Sequence, residues 1–370
     1  EIPMDDILTM QVWIPRYKYK VWNYNADGTK TSNEQQIEIS FEDGTNTTGE
    51  ISCQDAISGT DGDPSETCKL KETNATCTDS TCNNKTYTHP AFTFGNEEIK
   101  GFWIGKFELT GTIGSITTKP NLSSVREQIV STFETNIMHM KNSGNRYGLN
   151  TTTDTHMIKN SEWGAVAYLS HSKYGTCTNG TCKEIGINNN SNYITGCGAS
   201  SGSTESTTCN TYNTATGMQA STTFNIYGVY DFGGGAYEYV MANIVSNDGT
   251  TMMSGNSITD NSGYTGKVYD QGNYASYTGV AYPDIKYYDK YSFSTSDDSR
   301  IRSKLGDGIK EVYKGDEGWY SSDSYLAISD YPWFMRSGSY SDGAYAGAFI
   351  SGGSLGNANS NNSSRLIITP

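Results

Sequence analysis

This chain has few basic residues. It has 26 Lys and Arg against 40 Asp and Glu, a formal net charge of −14. Phosphate backbones would be repelled, which argues against nucleic-acid binding. No apolar run reaches the ~20 residues needed to span a bilayer, so no membrane insertion is expected of this chain. Only four His occur, at positions 89, 139, 156 and 171, without an HExxH pair or a His/Cys cluster. Structural roles fit them better than metal ligation. The glycines 233–235 are not followed by Lys-Ser/Thr, so they make no phosphate loop. No cysteine follows Cys209, which leaves the C-terminal third without a thiol nucleophile. The first residue is Glu1 rather than Met, and an upstream signal or anchor stays open.

What the chain does have is aromatic surface and paired cysteines. Its 27 Tyr, 11 Phe and 6 Trp offset a hydrophobic content of only 35%. Disordered chains are poor in aromatics, so a folded, loop-rich protein is expected. The eight cysteines are Cys53, Cys68, Cys77, Cys82, Cys177, Cys182, Cys197 and Cys209. They fall into sequence-adjacent pairs within Ser/Thr/Asn/Gly-rich stretches, two of them as C-x4-C. This favours local disulfides and an oxidising compartment, extracellular, cell-surface or on a phage particle. Zinc is the rival, but C-x4-C matches zinc knuckles poorly.

The periodicities describe an α+β protein of one domain over residues 1–370. Its core covers 1–42 and 87–370. Disulfide-bearing insertions fall at about 43–86 and 176–222, and a long loop region at 246–330. The opening "ILTMQVWIPRYKYKVWNYN" reads as a strand or hairpin arm, "IEISF" (37–41) as a strand, and "IKGFWIGKFELTG" (99–111) as an apolar strand. Val125, Ile129, Phe133 and Ile137 recur every four residues, predicting a helix over 121–142. A second helix is expected in "NSEWGAVAYLSHSKYG", with Asn160 or Ser161 as N-cap and Gly175 near its C-cap.

Four core segments, in order, resemble the formylglycine-generating-enzyme (sulfatase-modifying-factor) family. "WIGKFELTG" is similar to its opening strand, and Trp163, Ala165, Ala167 and Tyr168 to its W-x-x-A-x-A-Y helix. "YGVYDFGGGAYEY" resembles GLYDMxGNVWEW through Gly228, Tyr230, Asp231, Gly234 and Glu238. "RSGSY" from Arg336 and "SSR" ending on Arg365 resemble the closing motifs. The resemblance implies a C-type-lectin-like fold, with Tyr230, Asp231, Glu238, Arg336 and Arg365 as structural framework. The family's enzymes oxidise a substrate cysteine with a reactive cysteine pair late in the domain. That pair is missing here, and the motif's Met and Asn have become Phe232 and Gly235. The resemblance therefore implies a non-catalytic member. A cysteine-dependent oxidoreductase with relocated chemistry at Cys197 or Cys209 stays as an alternative, as does a structural subunit of a pilus or phage tail.

Between Arg336 and Arg365 the chain uses no Lys, Glu, Gln, Met or Trp. Its Ser, Gly, Asn, Asp, Tyr, Ala, Phe, Ile and Leu are reachable from Asn codons by changing adenines. This is similar to retroelement-diversified variable proteins of the C-type-lectin-like class. Tyr offers rigid amphipathic area while Ser, Gly and Asn adapt their hydrogen bonds. Tyr340, Tyr345 and Phe349 are the candidate anchors. Ser341, Asp342, Ser351, Ser354, Leu355, Asn357, Asn359 and Asn361 are the candidate periphery. "WYSSDSYLAISDYPWF" (319–334) extends the aromatic patch, with Trp333 and Phe334 read as core. The expected partner is a protein or glycan on another cell or particle. The opening segments also look like prepilin-like surface proteins of gut Firmicutes, which implies attachment through a pilin-like segment outside this sequence. No cofactor is expected. Calcium stays open at the Asp-rich loop around Asp297 and Asp298.

Overall fold

The structure, a computed structural model, describes residues 2–23, 33–50, 82–244, 262–264, 266–270, 273–277, 279–291, 303–312, 318–328 and 330–370. In chain order the first main strands are β1 (Gln11–Pro15), β2 (Tyr17–Lys20), β3 (Ile39–Phe41), β4 (Thr86–Thr88), β5 (Gly101–Gly105) and β6 (Asp154–Met157). After them come β7 (Tyr237–Ile244), β8 (Asp289–Tyr291), β9 (Trp333–Ser337), β10 (Gly347–Ser354), β11 (Asn362–Ser364) and β12 (Leu366–Thr369). Two α-helices, α1 (Val130–Met138) and α2 (Asn160–Ser170), occur among the described residues. The protein is thus mixed α+β and mostly sheet.

One antiparallel sheet runs β1-β5-β12-β6. A second runs β8-β7-β9-β10, with β11 beside β7. There β7 is parallel to β8 and β11 and antiparallel to β9. A third sheet pairs β3, β2 and β4. The expected opening strand is in fact two strands in different sheets, parted at Arg16. Likewise β11 and β12 belong to different sheets and are parted only at Arg365. Both corner arginines are essentially fully buried. A corner takes backbone carbonyls out of their ladders, and a guanidinium has five donors to satisfy them. Arg16 donates to Phe92 O at 3.0 Å and Ile99 O at 3.3 Å, and pairs with Glu42 at 2.9 Å.

Helix α1 starts nine residues later than the four-residue period predicts. Tertiary hydrogen bonds claim the backbone before it: Asn121 N donates to Thr195 O, Val125 N to Leu109 O, and Glu127 N to Asn359 O. Glu127 also has φ 61°, outside the helical basin. Val130, Phe133 and Ile137 are the helix's buried face, and Val125 is buried in the approach to it. In α2 the turn is closed by Glu162, whose carboxylate accepts the Lys159 N–H at 2.8 Å. Asn160 does not cap, because its side chain faces Tyr291 and Arg336. The helix ends at Ser170, before Gly175. Gly164 lies on this helix where an added Cβ would sit 1.9 Å from Gly306 O, so only glycine allows the approach. The strand expected over 99–111 is broken in two: 101–105 joins the first sheet, and 110–112 pairs with 115–117 in a separate hairpin. The region 246–330, read as loop, contains β8 and a hairpin of 266–270 with 273–277.

Candidate functional site

Arg365 lies at the centre of a buried charge cluster. Its Nε donates to Glu238 Oε2 at 2.9 Å, and Nη2 to Glu238 Oε1. It also donates to Gly105 O at 2.9 Å and Tyr230 O at 3.0 Å. Glu108 and Asp231 complete the cluster, and all four side chains are shut off from solvent. Asp231 accepts from Asn188 Nδ2 at 3.0 Å and from the Gly196 N–H at 3.0 Å; Glu108 accepts the Ala236 N–H at 2.9 Å. Three carboxyls around one guanidinium cannot all ionise. Burial pushes Asp231 up to about 6 despite Arg365, and pushes Glu108 well above the usual carboxylate range, with Asp231 and Glu238 adding to it. Burial opposes the charge on Arg365, but Glu238 outweighs it and raises the guanidinium.

The two departures from the resembled motif have local causes. Gly235 has φ +71°, and a Cβ there would meet Glu108 Oε1 at 2.5 Å. Phe232 stacks on Trp163, centroids 3.8 Å apart and 11° from parallel. Arg336, also fully buried, donates to Asn160 Oδ1 at 3.1 Å, Asp307 O at 3.2 Å and Gly308 O at 3.3 Å. Burial brings it down to about 10, against the pull of Asp307.

From these two arginines hangs the candidate surface. After β9 the chain turns at Ser337 (φ 79°) and Gly338 (φ 83°), and Ser337 Oγ donates to Asp231 O at 2.9 Å. Tyr340 N donates to Gly235 O at 2.8 Å. Asp342 accepts the Ser339 N–H at 2.8 Å and the Tyr237 hydroxyl at 2.6 Å. Tyr340 meets Tyr193 edge to face at 4.8 Å. The Tyr193 hydroxyl donates to Asn361 Oδ1 at 2.6 Å, and the Arg126 guanidinium lies 3.8 Å over the Tyr193 ring. The structure therefore brings 340–345 and 359–361 to one place through Tyr193 and Tyr237. Tyr345, Ser341, Asn359 and Asn361 are exposed there, and Tyr340, Asp342, Leu355 and Asn357 half-buried.

Three of the expected binding residues are not on that face. Phe349 is fully buried, packed on His171 at 4.6 Å and Trp319 at 5.3 Å. Ser351 and Ser354 are buried and bonded to Tyr325 O and the Tyr239 hydroxyl. The reason is β10: it pairs with β9 on one edge, and residues 323–325 hydrogen-bond to Ser351 on the other. Composition could not reveal that cover. Of the 319–334 patch, Trp319, Trp333 and Phe334 are core, whereas Tyr325 and Tyr331 are each 45% exposed. Sequence reasoning missed Arg126 and Tyr193. The signal for Tyr193 was the Asn-rich run 188–192 before it; Arg126 had none.

The sequence-adjacent cysteines Cys177 and Cys182 are bonded, as are Cys197 and Cys209. Cys82 is buried and disulfide-bonded; Cys53, Cys68 and Cys77 lie outside the described residues. Among the described residues no cysteine is free, no group of three or more His, Cys, Asp or Glu is placed to hold a metal, and no helix is long and apolar enough to cross a membrane. Asp297 and Asp298 lie outside the described residues. No protein-family model and no curated protein matches the chain.

Proposed function

We propose that this chain is an extracellular, adhesin-type binding protein built on a non-catalytic C-type-lectin-like scaffold of the formylglycine-generating-enzyme type. Its recognition face is Tyr340, Ser341, Asp342 and Tyr345 with Asn357, Asn359 and Asn361. The observation that carries the reading is the contrast along one segment. Arg336 and Arg365 are wholly buried, while Tyr345 between them is 55% exposed on a turn pinned by Asp342. A rigid aromatic anchor among small polar side chains is the chemistry of paratopes, suited to a protein or glycan. The retroelement-like composition of 337–364 supports variation of this face on a constant frame. The bonding of Cys197 to Cys209 weighs against relocated thiol chemistry. To test the reading, the chain is screened on glycan and displayed-protein arrays. Hits are then remeasured with the Tyr340→Ser/Tyr345→Ser variant. A loss of tenfold or more is expected at unchanged melting temperature; unchanged affinity would refute the site.

A further inference from the structure

Under Gly347, on the buried side of the segment that carries the displayed turn, buried polar side chains from three segments converge without hydrogen-bond partners among the described residues. The side-chain atoms His171 Nε2, Glu184 Oε2, Trp319 Nε1, Tyr320 OH and Ser322 Oγ are all buried and accept or donate no hydrogen bond there. They are neighbours. His171 Nε2 is 3.9 Å from Glu184 Oε1, and the His171 ring lies 5.5 Å from Tyr320 and 6.4 Å from Trp319. A Cβ added at Gly347 would stand 2.7 Å from Ser322 Oγ and 3.1 Å from Glu184 Oε2. Tyr320 and Ser321 hold left-handed φ of 61° and 66°, a strained pair that tends to mark functional positions. Unpaired buried groups are costly, and five in one place would consume a large share of a domain's stability.

The chemistry of the set selects its guest. His171 Nδ1 lies 3.1 Å from Ala167 O and 2.7 Å from Ser170 Oγ, and that hydroxyl itself donates to Ala167 O. Nδ1 therefore carries the hydrogen and Nε2 a lone pair. Burial lowers His171 to about 4 and raises Glu184 to about 8, the latter against the N–H groups of Ile185 and Ala348. The lining offers one imidazole acceptor among hydroxyl and indole donors, beside a carboxyl whose charge burial disfavours. The Glu34 carboxylate, which accepts the Tyr320 N–H at 3.1 Å, lies beside the set and disfavours an anion, whereas an O–H group, donor and acceptor at once, matches both kinds of partner. The 3.9 Å gap is too long for a direct bond and suits a bridging oxygen.

We propose that His171, Glu184, Trp319, Tyr320 and Ser322 line a buried polar site beneath Gly347 for a small hydroxyl-bearing guest, water or a polyol. The inference is independent of what the displayed face binds. It is tested by crystallography of the full chain at a resolution that shows ordered water, grown without polyol and then with glycerol as the probe. The expected result is an oxygen within hydrogen-bond distance of His171 Nε2 and at least one other of the five groups. Density for the same water in both crystals identifies water as the guest, and glycerol density identifies a polyol; both support the site. Gly347→Ala places its Cβ in the site and should expel the guest. Should that variant not fold, Ser322→Ala should leave the oxygen with one partner fewer. The proposal is overturned if the five groups bond directly to protein atoms without a guest, if an ion occupies the site, or if Gly347→Ala leaves the guest unmoved.

Discussion

Replacing Arg365 by Met tests the frame on which the displayed face hangs. Met keeps much of the buried volume but removes every bond of the guanidinium. Two carbonyls, Gly105 O and Tyr230 O, lose their donor from this side chain, at about 1–3 kcal/mol each where nothing replaces it. Glu238 loses its ion pair, and breaking a buried pair costs about 3–5 kcal/mol. These terms overlap, so a loss of roughly 5 kcal/mol is expected at pH 8, comparable to a whole domain's stability. The loss depends on pH with a definite sign. Asp231, Glu108 and Glu238 already sit above their ordinary values because of burial, and removing the cation raises them further. A carboxyl with a raised folded value stabilises fully below its unfolded value, and that contribution vanishes as pH rises through the folded value. The deficit of the variant should therefore widen from pH 5 to pH 8. Urea unfolding followed by tryptophan fluorescence at both pH values, with disulfides intact, measures it. Adding Glu238→Leu should recover part of the loss, because the stranded carboxylate goes too. A deficit under about 1 kcal/mol at pH 8, or one equal at both pH values, would refute the assignment of Arg365 as the neutralising centre.

Tyr345→Ser should change stability by less than about 0.5 kcal/mol, whereas Phe349→Ala should cost about 3–5 kcal/mol; thermal melts of the two variants decide whether the segment really divides into surface and core. His156 is clamped by Asp154 and Glu162 at 3.0 Å each. Burial opposes its charge, but the carboxylates hold it up at about 9. Its contribution is complete below about 6.5 and is lost as pH rises through 9, so His156→Gln should be most damaging at pH 6 and flatten the alkaline limb of the stability profile. Glu184, raised to about 8 by burial, stabilises below its unfolded value and ceases to do so as pH passes 8; Glu184→Gln should narrow the gap between melting temperatures at pH 5 and 8.5. Opening the Cys197–Cys209 loop, which spans a sequence separation of 12, by a double Ser substitution should cost about 3 kcal/mol and lower the melting temperature accordingly.

Several elements are legible in the amino-acid sequence alone. Helix α2 is one, because its apolar side chains pack directly on the core, Trp163 against Phe232 and Tyr168 against Tyr19 at 5.1 Å. The start of α1 is not, since distant carbonyls at Thr195, Leu109 and Asn359 take the N–H groups that a helix would use. The local disulfides follow from spacing, because a short loop brings its own ends together whatever the rest does.

The sequence by itself determined the mixed α+β class, the local pairs Cys177–Cys182 and Cys197–Cys209, and the presence of a small-polar, Tyr-bearing segment between two arginines. Each is a property of neighbouring residues or of composition. Only the tertiary structure decided that Arg336 and Arg365 are buried, that Tyr345 faces out while Phe349 faces in, and that Arg126 and Tyr193 join the same face. Those outcomes depend on what covers each strand. The residues that cover β10 come from 323–325, and the partner that links Tyr340 to Asn361 is Tyr193, far away in the chain. No local pattern records such distances, because burial is settled by contacts between segments that fold together.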